Sequence, residues 1–331
     1  MASWRARHSQ GPRSSAPQNH FEWKGLAKAL GLPMLGLPML GLAVAISVAG
    51  QPLSADAADR PVVATMLSQV PQEPAEKKYN LKHVRRVVLD PGHGGDNLGA
   101  LGSAGIREKV LCLDVAKRAA AWLTAHSDVE VLLTRERDSA VELRQRPRLA
   151  NDWRADALIS IHANAHETGE ASGMEVFFLA PEASAEATKL LVEREEGIRP
   201  ADATAGLSWS VGGILSDLDL AAQHRRSEQL ALALGEALKF TRPAARFRGV
   251  RQAPFGVLKE ARMAAVVLEI GYLTHPVEAP ELTNPATQDQ FGRAMLRALI
   301  ALDKQLGVEA QRLGQPPRQA QGKPKRGARG R

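Results

Sequence analysis

The sequence predicts an α/β domain with a largely parallel central sheet flanked by helices on both faces. Two observations carry this prediction. Short β-branched runs alternate with helical patterns along the chain, and several of these runs are apolar throughout, as strands buried on both faces of a parallel sheet are. At 331 residues, the chain has room for one domain of about 200 residues with flanking segments.

The predicted elements follow in chain order. Five segments are predicted to be strands: 84–90, 129–135, 157–164, 174–179 and 266–270. A helix is predicted between the first two because Leu113, Ala116, Ala120 and Leu123 fall on one helical face. Further helices are predicted after Arg144, over 227–238 and over 288–306.

The two ends of the chain differ in composition from its centre. Residues 1–57 are predicted to be a signal peptide with a long basic n-region, since an uncharged apolar run over 29–50 precedes an A-x-A pattern at 55–57. The alternative is a retained membrane anchor, because about 20 apolar residues can span a bilayer. We predict a linker over 58–83, a folded domain over 84–306 and a basic disordered tail over 307–331. The expected location is the periplasm or cell envelope.

Charge and cysteine content exclude two classes of function. The formal net charge is +7, but the basic excess lies in the first 28 residues and in the tail, and the segment between them is slightly acidic. Basicity therefore gives no reason to expect a nucleic-acid partner. Because Cys112 is the one cysteine, the chain has no intrachain disulfide and no cysteine-based zinc site.

Two histidines follow or end predicted strands. His93 lies in the glycine-rich segment DPGHGG after the first strand, and His162 ends the third in SIHAN. Each alone is more typical of a hydrogen-bonded structural histidine. Matching positions at the carboxyl edge of one sheet, where α/β folds build their sites, favour a shared role for the pair.

Two glutamates complete the candidate site. Glu108 begins the helix after a glycine-rich loop, where it either stabilises the helix N-terminus or supplies the carboxylate of a two-histidine, one-carboxylate zinc site. Glu269 interrupts the apolar strand VVLEIG. Burying an unpaired carboxylate costs several kcal/mol, so this position favours a catalytic proton carrier.

Other candidate groups are given no catalytic role. Arg144, Arg146 and Arg148 are predicted to be structural or solvated, because their spacing puts them on different sides of a helix. Five further histidines are predicted to be surface residues: His83, His126, His166, His224 and His275.

Three segments together resemble the catalytic domain of the zinc-dependent N-acetylmuramoyl-L-alanine amidases of the cell-separation type. They are VVLDPGHGGDNLGALGSAGIREK, LLTRERDSAVELRQRPRLANDWRADALISIHANA and RGVRQAPFGVLKEARMAAVVLEIGYLTHPVE. The resemblance spans about 84–306 and implies Zn²⁺ held by His93, Glu108 and His162, with Glu269 as the catalytic carboxylate. It also implies hydrolysis of the amide between N-acetylmuramic acid and L-alanine in peptidoglycan.

An insert of about 45 residues, 182–226, is long for one connection. It resembles the regulatory segment of these amidases, in which a helix covers the site until a protein activator displaces it. A helix over 185–196 is predicted here, and Glu193, Glu195 or Glu196 is a candidate to occupy the open zinc position. The alternative for these three residues is an acidic solvated face.

Two other functions fit part of the same pattern. A zinc carboxypeptidase acting on stem peptides would use the same ligand set, and a non-catalytic wall-binding protein could retain the fold. The presence of all four candidate residues argues against the second of these.

Overall fold

The computed structural model describes residues 78–103, 105–180, 186–196 and 213–314. The predicted signal segment, most of the predicted linker, the end of the basic tail and residues 182–185 and 197–212 of the predicted insert lie outside these ranges.

The domain is built on a six-stranded sheet with the order β2-β1-β3-β6-β4-β5. The strands are β1 (Arg86–Pro91), β2 (Glu130–Leu133), β3 (Ala157–Asn164), β4 (Met174–Leu179), β5 (Phe247–Ala253) and β6 (Ala264–Tyr272). β2, β1, β3 and β6 are parallel neighbours. β4 runs antiparallel to β6 and parallel to β5. The predicted largely parallel sheet is therefore confirmed, with β4 and β5 reversed.

Seven helices accompany the sheet in the described residues. They are α1 (Glu108–His126), α2 (Gln145–Asp152), α3 (Glu186–Glu196), α4 (Gly213–Thr241), α5 (Gly256–Lys259), α6 (Glu278–Thr283) and α7 (Pro285–Arg312). The start of α7 follows from local sequence: Asn284 accepts a hydrogen bond from the backbone N–H of Ala286 at 2.9 Å, and proline occupies the first helical position.

Two apolar clusters cover the two faces of the sheet. One joins α1, α4 and α7 to residues such as Val266, Leu268 and Ile270 of β6. The other joins α2, α3 and α5 to Val267 and its neighbours on the opposite face. Helices therefore flank both faces, as the sequence predicts, and alternate residues of β6 serve opposite clusters because strand side chains alternate in direction.

Several predicted boundaries are wrong. The third strand and the fourth match the prediction residue for residue, but the last predicted strand is longer, and β5, α5 and α6 were missed. β5 was missed because half-buried residues predominate in it and its apolar pattern is weak. The helix predicted over 227–238 begins at Gly213, so the last part of the predicted insert is continuous with α4.

The folded region is also wider than predicted. Leu81, assigned to the linker, is 2% exposed in the core, and the backbone N–H of Tyr79 donates to the carbonyl of His126 at 2.8 Å. At the other end α7 continues to Arg312, beyond the predicted limit at residue 306. Long-range backbone pairing and packing, which composition does not reveal, decide both limits. Among the described residues, the helices lack the combination of length and apolar character needed to cross a bilayer.

Candidate metal centre

The carboxyl ends of three neighbouring strands carry most of the candidate residues. His93 follows β1, His162 lies near the end of β3, and Glu269 lies in β6. β3 is hydrogen-bonded to both β1 and β6, and His162 is paired directly with Glu269. Because the strands are parallel, all three side chains reach the same edge of the sheet.

Four side chains converge at this edge. The atoms His93 Nε2, Glu108 Oε1, His162 Nδ1 and Glu195 Oε2 belong to a buried group whose ligand atoms lie within 4.8 Å of one another. His93 Nε2 lies 2.9 Å from Glu108 Oε1 and 3.0 Å from Glu195 Oε2. His162 Nδ1 lies 3.2 Å from Glu108 Oε1 and 2.8 Å from Glu195 Oε2. Among the described residues, this group can hold a metal ion.

Glu108 is held in place by two backbone donors, one in the loop before α1 and one in β3. Its Oε2 accepts a hydrogen bond from the N–H of Ala100 at 2.8 Å, and its Oε1 accepts one from the N–H of Ala163 at 3.0 Å. Gly99 permits this approach, because a Cβ there would lie 2.7 Å from both Glu108 and the ring of His93. Glu108 can therefore both stabilise the N-terminus of α1 and offer a carboxylate oxygen to a metal ion, the two roles that the sequence left open.

The loop that carries His93 is fixed by a buried arginine and an amide. His93 has a positive φ of 58°, a left-handed conformation that costs a non-glycine residue about 1 kcal/mol or more. Arg146 donates to the carbonyl of His93 at 2.8 Å and to Asp90 Oδ1 at 2.7 Å. His93 Nδ1 lies 2.9 Å from Asn97 Oδ1, so a proton on Nδ1 leaves Nε2 free to act as a ligand.

The donor atoms fit a divalent cation. His93 Nε2 is buried and close to two carboxylate oxygens, yet it makes no hydrogen bond of acceptable geometry to any described residue. Two imidazoles and a carboxylate are the ligand set of many catalytic zinc sites. A cation placed among these atoms would give His93 Nε2 the partner that it lacks and would be bound by the carboxylate oxygens that surround it.

The charge balance of the group supports the same conclusion. Burial lowers the pKa of His93, but the carboxylates of Glu108 and Glu195 outweigh it and raise this pKa to about 9. Burial likewise opposes protonation of His162, and the same two carboxylates raise its pKa well above the ordinary value. The carboxylates of Glu108 and Glu195 thus favour positive charge at this point. A metal ion can supply that charge in place of protons on the two histidines.

Glu269 lies deeper in the sheet. It is fully buried, and neither of its oxygens has a hydrogen-bond partner among the residues that the structure describes. Burial is the largest cause that raises its pKa well above the ordinary value, and the charges of Glu195 and Glu108 add to it. A raised pKa favours the protonated form of this carboxyl, and perturbed pKa values of this kind are typical of groups that exchange protons in active sites.

Of the three glutamates predicted as candidates for the open zinc position, the structure brings one, Glu195, into the cluster. α3 reproduces the helix predicted over 185–196, and Glu195 joins the cluster while Glu193 is half-buried away from it. Glu196 instead accepts a hydrogen bond from the N–H of Gly256. Arg194 donates to Glu195 Oε1 at 2.6 Å and to the carbonyl of Ala165 at 2.7 Å. These contacts hold Glu195 against the two histidines.

The arginines of α2 are structural or solvated, as the sequence predicts, but which of them is buried was not predicted. Arg146 is 6% exposed and ion-paired to Asp90, and a second buried arginine, Arg135, donates to the carbonyls of Pro91 and Gly92 at 3.0 and 2.7 Å. Arg148 is solvated, as predicted, since its side chain is 59% exposed. The local sequence does not indicate that Arg135 and Arg146 are buried, because arginines that are solvated occur in the same charged stretch.

The five other histidines that the structure describes lie outside the cluster. His166 is exposed, whereas His83, His126, His224 and His275 are half-buried rather than free on the surface. His126 shows why: its ring stacks on Trp122 with a centroid separation of 4.0 Å. Cys112 is fully buried, and burial raises its pKa, so the thiol is an inert core group.

Comparison with known proteins identifies the domain. The family model Amidase_3, described as N-acetylmuramoyl-L-alanine amidase, matches residues 87–301. The chain belongs to this family of hydrolases. The match spans the sheet and all four residues that the sequence nominates for the amidase site.

Named relatives agree with the assignment to the amidase family, and a solved structure shares the fold. The N-acetylmuramoyl-L-alanine amidase AmiA of Escherichia coli K12 is 34% identical over 238 residues, which are 69% of this chain and 79% of AmiA. AmiC of E. coli O6:H1 strain CFT073 is 28% identical over 226 residues, so the match covers 65% of this chain but about half, 52%, of AmiC. The crystal structure of Ami1 from Mycobacterium smegmatis has the same fold, with a TM-score of 0.50 and 19% identity over 68% of this chain and 99% of that chain.

Proposed function

We propose that this chain is a zinc-dependent N-acetylmuramoyl-L-alanine amidase that hydrolyses the amide between N-acetylmuramic acid and L-alanine in peptidoglycan. The observation that carries the proposal is the convergence of His93, Glu108 and His162 at the carboxyl edge of a sheet in an amidase-family domain. The family supplies the substrate class, and the ligand chemistry supplies the metal.

In this proposal the zinc ligands are His93 Nε2, Glu108 Oε1 and His162 Nδ1. When bound, zinc supplies a Lewis acid that polarises the scissile carbonyl and makes water a nucleophile at neutral pH. The chain contributes the orientation of each ligand: Asn97 sets the His93 tautomer, and the N–H groups of Ala100 and Ala163 hold both oxygens of Glu108.

Glu269 is proposed as the proton carrier. Its strand pairing with His162 keeps it beside the ligand group, and its buried, unpartnered oxygens are available to a proton. Burial raises the pKa of this carboxyl well above its ordinary value, which helps the group to hold a proton between its uptake and its release in general acid–base catalysis. It takes a proton from the attacking water and delivers it to the nitrogen of the departing L-alanine.

We further propose that α3 is an autoinhibitory helix. Glu195 lies against both histidines at the position a substrate oxygen would approach, and Leu191 and Val192 pack α3 into the apolar cluster of the sheet. Activation then requires displacement of α3, which in the cell is the task of a protein activator acting on the predicted insert. Export to the periplasm and a role in daughter-cell separation complete the proposal, on the strength of the N-terminal sequence and the AmiA and AmiC relatives.

Glu269→Gln tests the catalytic assignment. The variant and its parent are compared in a chain carrying Glu195→Ala, with the exposed residue Glu170→Gln as control. We expect bound zinc to be retained and wall hydrolysis to fall by about 10²- to 10⁴-fold. Mass spectrometry of the digest identifies the bond: intact stem peptides released from glycan agree with the proposal, whereas shortened stems still attached to glycan indicate a carboxypeptidase. Full activity in the variant removes Glu269 from the reaction.

A further inference from the structure

A row of polar side chains extends from the metal centre across the sheet. In the strand register His162 of β3 is paired with Glu269 of β6, and Glu269 is paired with Glu175 of β4. Directly paired residues project to the same face of a sheet. Glu175 therefore lies on the same face as the proposed catalytic carboxylate, one strand farther from the two histidines.

Two arginines of β5 converge on Glu175. Arg248 Nε lies 3.2 Å and Arg251 Nε lies 3.0 Å from Glu175 Oε1. The Glu175 side chain is only 6% exposed, whereas those of Arg248 and Arg251 are 25% and 33% exposed. One carboxylate thus faces two guanidinium groups, and the surplus positive charge is on the partly exposed arginines.

Tyr272 makes this arrangement rigid. Its ring lies under Arg248, with 5.4 Å between the guanidinium carbon and the ring centroid. Its hydroxyl donates to Glu175 Oε2 at 3.5 Å. A guanidinium held by a carboxylate on one side and a ring on the other loses little freedom when it binds an anion. Arg248 is therefore preorganised to bind an anion, and beside it Arg251 Nε is buried without a hydrogen-bond partner among the described residues.

Its position relative to the proposed reaction suggests the anion. Adjacent strands are about 4.8 Å apart, and β5 is the second strand from β6. Arginines of β5 that reach back to Glu175 on β4 therefore lie between about 5 and 10 Å from Glu269. In a stem peptide that begins L-alanine–D-glutamate, joined through the glutamate side chain, the free α-carboxylate lies about 7 Å from the scissile amide at ~3.5 Å per residue. The two lengths are compatible.

We propose that Arg248 and Arg251 form a specificity site for the free α-carboxylate of the second residue of the stem peptide. This inference rests on the proposed amidase function. It assigns to β5, which has no part in the metal centre, the recognition of stem peptides that carry an acid rather than an amide at this position. The competing explanation is that both arginines serve Glu175 alone.

The test is a pair of substrates that differ only in this group. Muramyl peptides carrying either D-glutamate or its α-amidated form, D-isoglutamine, are given to the full chain with Glu195→Ala, and kcat and KM are measured for each. Arg251→Gln and Arg248→Gln are compared with Arg246→Gln, which removes the same charge from an exposed residue just before β5. The ratio of the two kcat/KM values within one variant is unaffected by partial unfolding.

We expect the parent chain to prefer the glutamate substrate by about tenfold or more, mainly through KM, because a hydrogen bond to a charged group is lost on amidation. Arg251→Gln or Arg248→Gln should bring the ratio close to one, and Arg246→Gln should leave it unchanged. Cleavage of both substrates at equal rates by the parent, or an unchanged ratio in both arginine variants, would overturn the inference. Absence of cleavage of either substrate would instead refute the amidase function.

Discussion

Glu195 Oε2 lies 2.8 Å from His162 Nδ1 and brings a carboxylate from α3 into the group that His93, Glu108 and His162 form at the sheet edge. α3 is also held by Arg194 and by the packing of Leu191 and Val192. Because α3 is held by a few side-chain contacts of one helix, the whole helix can move away from the sheet edge in a single step. This relationship is the basis of the proposal that α3 controls access to the centre.

Loss of the Glu195 carboxylate should activate the enzyme. We expect Glu195→Ala to raise the rate of dye release from labelled peptidoglycan by about tenfold or more, since a contact to a charged partner of roughly 1.5–3 kcal/mol is lost. Deletion of residues 184–212 should raise it further. Glu193→Ala, on the same helix but outside the cluster, is the control. Unchanged or lost activity in a folded Glu195→Ala chain would count against autoinhibition.

Metal removal should lower thermal stability. A ligand present at 100 times its Kd stabilises the folded state by about 2.7 kcal/mol, which for a domain of this size corresponds to a Tm shift of roughly 5–10 °C. We expect this shift when zinc is removed by a chelator and expect it to be abolished in His162→Ala. His166→Ala, at an exposed histidine, should behave like the parent chain. A chelator effect that survives in His162→Ala would place the metal elsewhere.

The buried Arg146–Asp90 ion pair under the His93 loop should contribute far more to the free energy of unfolding than the exposed Arg148–Glu260 pair. Arg146→Ala leaves Asp90 buried without its cation, and breaking such a pair costs about 3–5 kcal/mol. Arg148→Ala removes an exposed contact with Glu260 and should cost about 0–1 kcal/mol. Urea unfolding measures both free energies. Equal losses would show that Arg146 does not anchor the loop.

The buried carboxylate of Asp90 should make the folded state less stable as the pH falls into the acid range. Burial acts to raise its pKa, but Arg146, Ser160 and Thr134 outweigh burial and hold the pKa below its ordinary value. A depressed pKa in the folded state stabilises the protein above the unfolded pKa of about 3.9, and this contribution is lost as pH falls through the lower folded value.

Melting curves between about pH 3 and pH 7 test this relation. Asp90→Asn should be less stable than the parent at neutral pH and should lose less stability on acidification. Asp152→Asn, at an exposed aspartate in α2, should follow the parent curve. Parallel curves for the parent and Asp90→Asn would refute the assignment.

The candidate site could be predicted because several of its residues are of a type that is unusual for their position in a strand or loop. A glutamate inside the apolar run VVLEIG and two histidines after or at the ends of strands are costly or unusual for structure alone. The same apolar runs predict the strands, because strands buried on both faces carry little polar character. His93, Glu108, His162 and Glu269 were therefore nominated from the chain alone.

What remained hidden depends on contacts between residues far apart in sequence. The reversal of β4, the existence of β5 and the place of Glu175 opposite Glu269 follow from strand register. The burial of Arg146 and the choice of Glu195 over Glu193 and Glu196 follow from packing. Local patterning determines which side chains are unusual, because its physics acts within a few residues. Tertiary structure alone decides which of them meet, because the energies of ion pairs and ligand groups depend on distance in space.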